Sequence, residues 1–505
     1  MTKSRTQMTK LNAKASVLNR IVTLICNFTC RSVFIKKLGT EYLGVGGMFG
    51  NVFSVLSLCE LGFGEAASQT MYKPLAENDM ATVRSIVRYF SKVYKYIALI
   101  TLAASFTVMP FLSGIFPDIV NISNYRAVYL LFVFHQTLSY IYAPKRSLVM
   151  CDQRMYVVSF VRTVTVVLVS IAQILCLVYT GNYLLYVFLR ILFLTLDSIV
   201  IEKYADKKYG FTEHKVTDEL SLKYRLSIKN NTRALAVHRI GGVINNSTDS
   251  ILLSACLGLS HMGVYSNYSL IINSLGSFVC LAVSAASASI GNLGASDNAQ
   301  KSERVLKRLC LANFVLVTNC SALLLCLINP AISLWIGKEM CFSMEETAVI
   351  IACFYMSYIR DPVQIFLKGY GVFRSTRYIA LSRGLLNLVL SYILVQIIGV
   401  AGVFAGTFIS TLAIPFAAEP YMLFKHGFGT SMRKFFYEYT GYILSSFVIC
   451  TASYVLSQGI NTDSVTGIIL KGFAVAGITN GLIVVIYGRN RDFRGLKDLI
   501  VKRAK

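Results

Sequence analysis

RIVTLICNFTCRSVFIKKLGTEYLGVG (Arg20–Gly46) returns 219 residues later as RIGGVINNSTDSILLSACLGLSHMGVY (Arg239–Tyr265). Under this one gapless offset Arg20-Ile21 falls on Arg239-Ile240, Asn27 on Asn246 and Thr29 on Thr248. Leu38-Gly39 falls on Leu257-Gly258, Gly44-Val45 on Gly263-Val264, and Ala66-Ala67-Ser68 on Ala285-Ala286-Ser287. The basic stretches holding Arg88 and Lys307 coincide as well. Aliphatic matches between apolar segments arise easily by chance, so the Asn, Thr, Gly and Arg coincidences carry the argument. Each copy opens with an apolar run, broken by polar residues, that is long enough to cross a bilayer, for which about 20 residues suffice. The copies are six spans apart, so both enter the membrane in the same sense. The chain is expected to form two halves related by a parallel repeat, with a pseudo-twofold axis along the membrane normal.

Composition agrees with a membrane chain. Of 505 residues 55% are apolar and only 15% charged, whereas soluble chains carry about 25% charge. The formal charge of +24 would suggest nucleic acid in a soluble protein. In an apolar chain it reads as basic loops on the cytoplasmic leaflet, and no nucleic-acid partner is expected. The first apolar run holds Asn27 and Arg31 and is followed by no small-residue cleavage site, so it reads as a first span and not a removable signal. The thirteen cysteines show no CxxC or His/Cys ligand spacing and read as small buried hydrophobes, with no metal site. No cofactor is expected.

Runs of spanning length centre near residues 25, 53, 101, 133, 167, 192, 245, 275, 317, 357, 386, 410, 447 and 477, the first and seventh being the weakest. With the N-terminus inside, the cytoplasmic pieces (1–20, 72–95, 143–155, 203–239, 292–308, 368–377, 424–436 and 489–505) hold 39 of the 49 Lys and Arg. The opposite loops hold Lys36, Lys37, Arg126 and Lys338 alone. A missed helix would invert every later loop and erase this bias, so it supports both the count and two cytoplasmic termini. The expected fold is therefore an all-α polytopic membrane protein of about fourteen transmembrane helices. Its expected parts are a six-helix lobe over 1–204, a basic cytoplasmic linker over 205–230, a second six-helix lobe over 231–430, and a further helix pair with a basic tail over 431–505.

GTEYLG at 39–44, the following LSLCELGFGEAASQTMYKPLAENDM, HRIGGVINNSTDSILLS, GVYSNYSLI, ASASIGNLGA, LWIG at 334–337 and GVAGVFAGTFIS at 399–410 together resemble a known family. They are similar to bacterial polysaccharide repeat-unit flippases, the O-antigen and capsule exporters of the Wzx type in the multidrug/oligosaccharidyl-lipid/polysaccharide superfamily. The resemblance covers most of the chain and thins after about residue 430. It departs at Lys208-Tyr209-Gly210-Phe211, where related sequences often carry a proline. It implies fourteen helices, two lobes enclosing a central cavity, and alternating access that moves undecaprenyl-pyrophosphate-linked oligosaccharide to the outer leaflet of the bacterial cytoplasmic membrane. Lipid-linked oligosaccharide and membrane lipid are the implied partners, with a polysaccharide polymerase or assembly proteins as further candidates.

Such a substrate needs cationic and hydrogen-bonding groups at membrane depth, which are costly in lipid and normally face a cavity; arginine suits phosphate through its planar fork. Arg31 lies eleven residues past Arg20, about 16 Å along a helix. It is expected opposite Asp249, with Asn27 and Asn246 beside them; the competing reading is a cation snorkelling to the interface with Lys36 and Lys37. For Asp249, in the polar run Asn245–Ser250, the alternative is an internal helix-to-helix hydrogen bond. Arg190 and Asp197 stand two turns apart on one helix face and invite a pairing. Arg360-Asp361-Pro362 reads as a charge pair at a helix break, with cavity and hinge roles both open; Arg162 and Arg383 rank below as cavity residues. Asn267 and Tyr268 offer sugar-facing groups. Glu60, Asp249 and His135 are candidates for ion coupling, although His135 is more often a hydrogen-bonded core residue than a proton relay. There is no GxxxxGK[ST] phosphate loop and no catalytic cluster, so no enzyme is expected. An ion-coupled multidrug antiporter and a peptidoglycan-precursor lipid flippase are the rival functions.

Overall fold

The computed structural model describes residues 5–211, 220–284, 290, 299–490 and 493, without the side chains of 5–7, 9, 10, 234, 238, 246, 299, 373–375 and 377. The Asn246 side chain, most of ASASIGNLGA, part of the basic linker and most of the basic tail therefore lie outside what is described.

The described residues are mostly helical with no strand, and they trace fourteen helices. These are α1 (Arg5–Leu38), α2 (Thr40–Leu56, resuming as Phe63–Ala76), α3 (Met80–Val108), α4 (Tyr125–Cys151), α5 (Met155–Tyr179), α6 (Tyr183–Tyr209) and α7 (Leu222–Leu252). Then follow α8 (Leu259–Ser284), α9 (Ala299–Ile336), α10 (Met344–Tyr358, resuming as Asp361–Gly369), α13 (Arg433–Leu456) and α14 (Val465–Tyr487). Between them Phe373–Ala413 departs from helical geometry at Ile398 and Gly399; α11 lies before this break, and α12 runs from 400 and resumes as Pro415–Leu423. The fourteen expected spans each fall on one helix.

Ten stretches among the described residues are long and apolar enough to cross a membrane, one of them (Tyr378–Phe428) holding α11 and α12 together. The remaining helices, α1, α4 and α7, are diluted by residues such as Arg31, His135, Arg146, Asn245 and Asp249. Large apolar side chains stand outward, including Phe447 at 74%, Phe473 at 75% and Val485 at 80% exposure. A surface of this kind aggregates in water and is stable against lipid. The protein is a multi-pass membrane protein.

Helix starts follow ordinary capping chemistry. Asp79 accepts from the Thr82 amide at 3.0 Å before α3, and Asn182 from Leu185 at 3.1 Å before α6. Ser343 forms a capping box with Glu346 at the start of α10.

The chain packs as two compact units, residues 1–243 with 258–263, and residues 244–257 with 264–505. Unit 1 is cored where α2, α3, α4 and α6 bury Phe63, Met71, Phe90 and Tyr94. Unit 2 is cored by residues such as Phe314, Phe354, Phe404 and Tyr439.

The 219-residue offset has a structural counterpart inside unit 1. Gly39 and Gly258 take φ of 84° and 94°, a region that favours glycine, and each separates the first helix of its copy from the second. Gly44 of α2 lies against the Leu259 carbonyl, so a Cβ there would collide with it; Gly263 of α8 lies in the same way against the Thr40 carbonyl. Position 44 touches the repeat mate of 40, and the repeat mate of 44 touches 40. That reciprocity is what a local two-fold produces.

Candidate functional site

Unit 1 carries a polar string along α1, α4, α5 and α6. Next to Arg31 on α1, the Cys30 thiol stands 3.5 Å from the Tyr186 hydroxyl and 3.8 Å from Gln173 Oε1, and Gln173 Nε2 donates to the Tyr186 carbonyl at 3.2 Å. Arg31, Tyr186 and Arg190 lie within electrostatic reach of one another. Asn27, one turn before Arg31, is exposed. Arg190 is exposed and makes no hydrogen bond to a described residue.

The pairing of Arg190 with Asp197 does not form. Asp197 is 1% exposed, and its Oδ2 accepts from Arg146 Nη2 at 2.5 Å, with Arg162 Nη1 at 3.7 Å. Arg146 lies in the stretch expected to be cytoplasmic from 143. α4 runs helically through it to Cys151, and from that helix Arg146 reaches the buried Asp197 carboxylate. His135, Arg146 and Arg162 line a cavity of about 320 Å³.

Glu60 sits at the break in α2, where Leu61 and Gly62 take positive φ. Its Oε1 accepts from the Tyr94 hydroxyl and, at 3.3 Å, from the Gly64 amide. The carboxylate thus caps the restarted helix, where its charge meets the positive end of the helix dipole.

In unit 2, α7, α11 and α12 converge on Asp249. Its Oδ1 accepts from the Thr407 hydroxyl at 2.6 Å and from Asn387 Nδ2 at 3.4 Å. Ser391 donates to Asn387 Oδ1 at 2.8 Å. Asn387 and Ser391 are fully buried. Gly402 and Gly406 allow α12 to press against the backbone of α11 at Leu394 and Ser391, which brings Thr407 to the carboxylate. Arg383 stands one turn before Asn387, within electrostatic reach of Asp249. The internal helix-to-helix hydrogen bond weighed for Asp249 is present, and the cluster supplies oxygen and amide groups around one intramembrane carboxylate.

Two candidates are committed within unit 2. Arg360 pairs with Glu419 of α12 and not with its neighbour Asp361: Nε donates to Oε2 at 3.0 Å and Nη2 to Oε1 at 2.5 Å, with both residues buried. The helix break at 359–361 turns the guanidinium toward α12. Tyr268 is fully buried; its hydroxyl donates to Asn329 Oδ1 at 2.5 Å and accepts from the Phe342 amide at 2.8 Å, so it offers no free group to a sugar. Asn267 is likewise fully buried.

Sequence reading did not single out Asn387, Ser391, Thr407 or Glu419. Their signal was available: each is a polar residue inside an apolar span, and Asn387 and Ser391 share a face at i, i+4.

No family model and no curated protein matches the chain. Solved structures of similar fold include a lipid II flippase, MurJ, in an inward closed conformation, with a TM-score of 0.65 and 15% identity over 97% of this chain and 99% of that one. An inward-facing multidrug resistance MATE family transporter of the MOP superfamily matches with a TM-score of 0.59 and 14% identity, over 80% of this chain and 94% of that one. An outward-facing structure of such a transporter matches with a TM-score of 0.52 and 13% identity, over 83% and 96%. The chain therefore has the fold shared by these flippases and transporters, nearly end to end.

Proposed function

We propose that the protein is a flippase that carries polyprenyl-diphosphate-linked oligosaccharide repeat units from the cytoplasmic to the outer leaflet by alternating access, for envelope polysaccharide synthesis. The observation that carries this reading is one intramembrane arginine of unit 1, Arg190. Arg190 stands in a spanning helix without a hydrogen bond to a described residue, within electrostatic reach of Arg31. Arginines held at membrane depth are costly unless a ligand or pathway uses them, and a diphosphate head is the part of such a substrate that needs them. The near end-to-end likeness to a lipid II flippase supports a lipid-linked substrate. The seven motif blocks favour a polysaccharide repeat unit over a peptidoglycan precursor.

Asp249, set among Thr407 and Asn387, is the coupling group in this reading: a carboxylate whose hydrogen bonds change when it gains a proton gives the two units a chemical handle. The strong positive-inside bias supports cytoplasmic termini.

The test is loss of the gene product in its own cell. Lipid-linked repeat units should accumulate on the cytoplasmic leaflet while surface polymer falls, and Arg31→Ala and Asp249→Ala should each lower polymer at unchanged protein level. Accumulation of peptidoglycan precursor instead would favour the nearest alternative. Loss of dye export alone would favour an ion-coupled multidrug antiporter; the similar MATE structures are of multidrug resistance transporters.

A further inference from the structure

We propose that the cavity between α4, α5 and α6 of unit 1 binds the diphosphate head of a polyprenyl-linked ligand, with Arg146 and Arg162 as its cationic clamp and Asp197 as the residue that positions them. The polyprenyl part rests on the function proposed above; the diphosphate part stands on the cavity itself.

Three side chains lining this cavity are unsatisfied. Arg162 makes no hydrogen bond to a described residue, its single ion contact being Asp197 at 3.7 Å. The His135 ring and the Tyr142 hydroxyl likewise have no hydrogen-bond partner among the described residues. Arg146 gives one N–H to Asp197, which leaves most of its five donors for the cavity. The guanidiniums are 31% and 39% exposed at the side chain, whereas Asp197 is closed off at 0%. Among the described residues no carboxylate lines the cavity, so two cations and a neutral or cationic imidazole face it against one buried anion behind them. Arg190 adds positive charge within reach of both His135 and Arg162.

An occupant must therefore be an anion with several acceptor oxygens. The volume of about 320 Å³ would hold about ten waters at about 30 Å³ each, enough for a diphosphate and the first atoms attached to it. Two forked guanidiniums match two phosphoryl groups with paired donors, and the Tyr142, Ser139 and Ser198 hydroxyls stand around the same space. Arg146 lies five residues from the end of α4 and Arg162 seven from the start of α5, about 8 and 10 Å along their helices. Both therefore approach from the α4–α5 turn, the side that receives the head group if the termini are cytoplasmic.

Asp197 has a separate task. One oxygen holds both arginines, and the other, Oδ1, is buried without a partner. Without it the two cations repel, and their stems are long enough to swing toward the membrane surface.

The test uses the full chain in detergent, with unfolding followed by a thiol-reactive dye. The probes are inorganic pyrophosphate, sulfate, farnesyl diphosphate, farnesol and phosphatidylglycerol. Pyrophosphate should raise the unfolding midpoint, and farnesyl diphosphate should do so at a concentration at least about tenfold lower, because ligand binding stabilises the folded state by mass action. Sulfate and farnesol should do neither. Arg162→Gln should raise the pyrophosphate concentration needed by about tenfold or more. Asp197→Asn should do the same, and Asp197→Glu should restore the response, which a merely structural loss would not show. If Arg146→Gln fails to fold, Tyr142→Phe and His135→Gln provide milder variants, each expected to weaken the response.

An absent pyrophosphate response overturns the site. An equal response to phosphatidylglycerol overturns the diphosphate assignment in favour of a general lipid phosphate. A response unchanged in Arg162→Gln but lost in Arg31→Ala moves the anion elsewhere and overturns it too. Binding needs no transport, so intact binding without flipping counts against the proposed function alone, and flipping without binding counts against this cavity alone.

Discussion

Replacing Glu419 by Gln should destabilise unit 2 sharply, and replacing both Glu419 and Arg360 by Met should restore most of the loss. The pair is held by two parallel N–H···O bonds with side chains 6% and 11% exposed, so neither charge has water as an alternative partner. At a centre-to-centre separation of about 4 Å and an effective dielectric constant of about 20, the attraction is about 4 kcal/mol. Loss of one partner also leaves the other charge desolvated, and breaking buried pairs of this kind costs about 3–5 kcal/mol. Two apolar side chains of similar size avoid that cost, since a buried ion pair is close to neutral against a hydrophobic replacement. The thirteen free cysteines, many of them buried, make thiol-dye unfolding a suitable assay. Glu419→Gln, Glu419→Met and Arg360→Met should each lower the midpoint by several degrees, and the cycle closed by the two Met variants and their double should return a coupling of at least about 2 kcal/mol. Single variants as stable as the parent, or a double variant no better than the singles, would show that the pair does not hold α10 to α12.

Three further outcomes follow from the geometry. Gly44→Val and Gly263→Val should each impair folding or expression by colliding with the carbonyl of Leu259 or Thr40, whereas Gly50→Ala, with open space around it, should be neutral or favourable by up to about 1 kcal/mol; yield and unfolding midpoint measure both. Thr407→Val removes a donor from Asp249 at nearly constant volume and should cost about 1–3 kcal/mol together with transport, while Thr407→Ser should retain both; equal activity of all three proteins would exclude the cluster from function. In a cysteine-free background, a cysteine at Asn461 should react with an impermeant maleimide from outside intact cells, and one at Lys434 only after permeabilisation; the reverse pattern would invert the topology.

The large-scale organisation was legible in the sequence because two independent physical signals coincided. Hydrophobic length placed fourteen spans, each of which falls on one helix, and the 219-residue repeat matched the first with the seventh. Gly39 and Gly258 made the repeat visible, since a left-handed turn between two helices selects glycine in both copies. The site was legible only in part. Intramembrane charges such as Arg31, Asp249 and Arg360 stand out one at a time, but their partners depend on which helices meet. Asp197 illustrates this: on its own helix it faces Arg190, yet the packing of α4 and α5 gives it to Arg146 and Arg162. Glu419 was hidden for a related reason: it stands in the span centred near 410, and only the meeting of α10 with α12 gives it Arg360 as a partner.

The central claim is directional movement of a lipid-linked head group, and reconstituted vesicles test it most directly. Protein in liposomes carrying a polyprenyl-diphosphate-linked oligosaccharide should expose the sugar to an added glycosidase faster than protein-free vesicles. Arg31→Ala should reduce that rate about tenfold, the effect of losing one charge-assisted contact. Exposure no faster than in protein-free vesicles, from the same preparation that exports a cationic dye, would contradict the account.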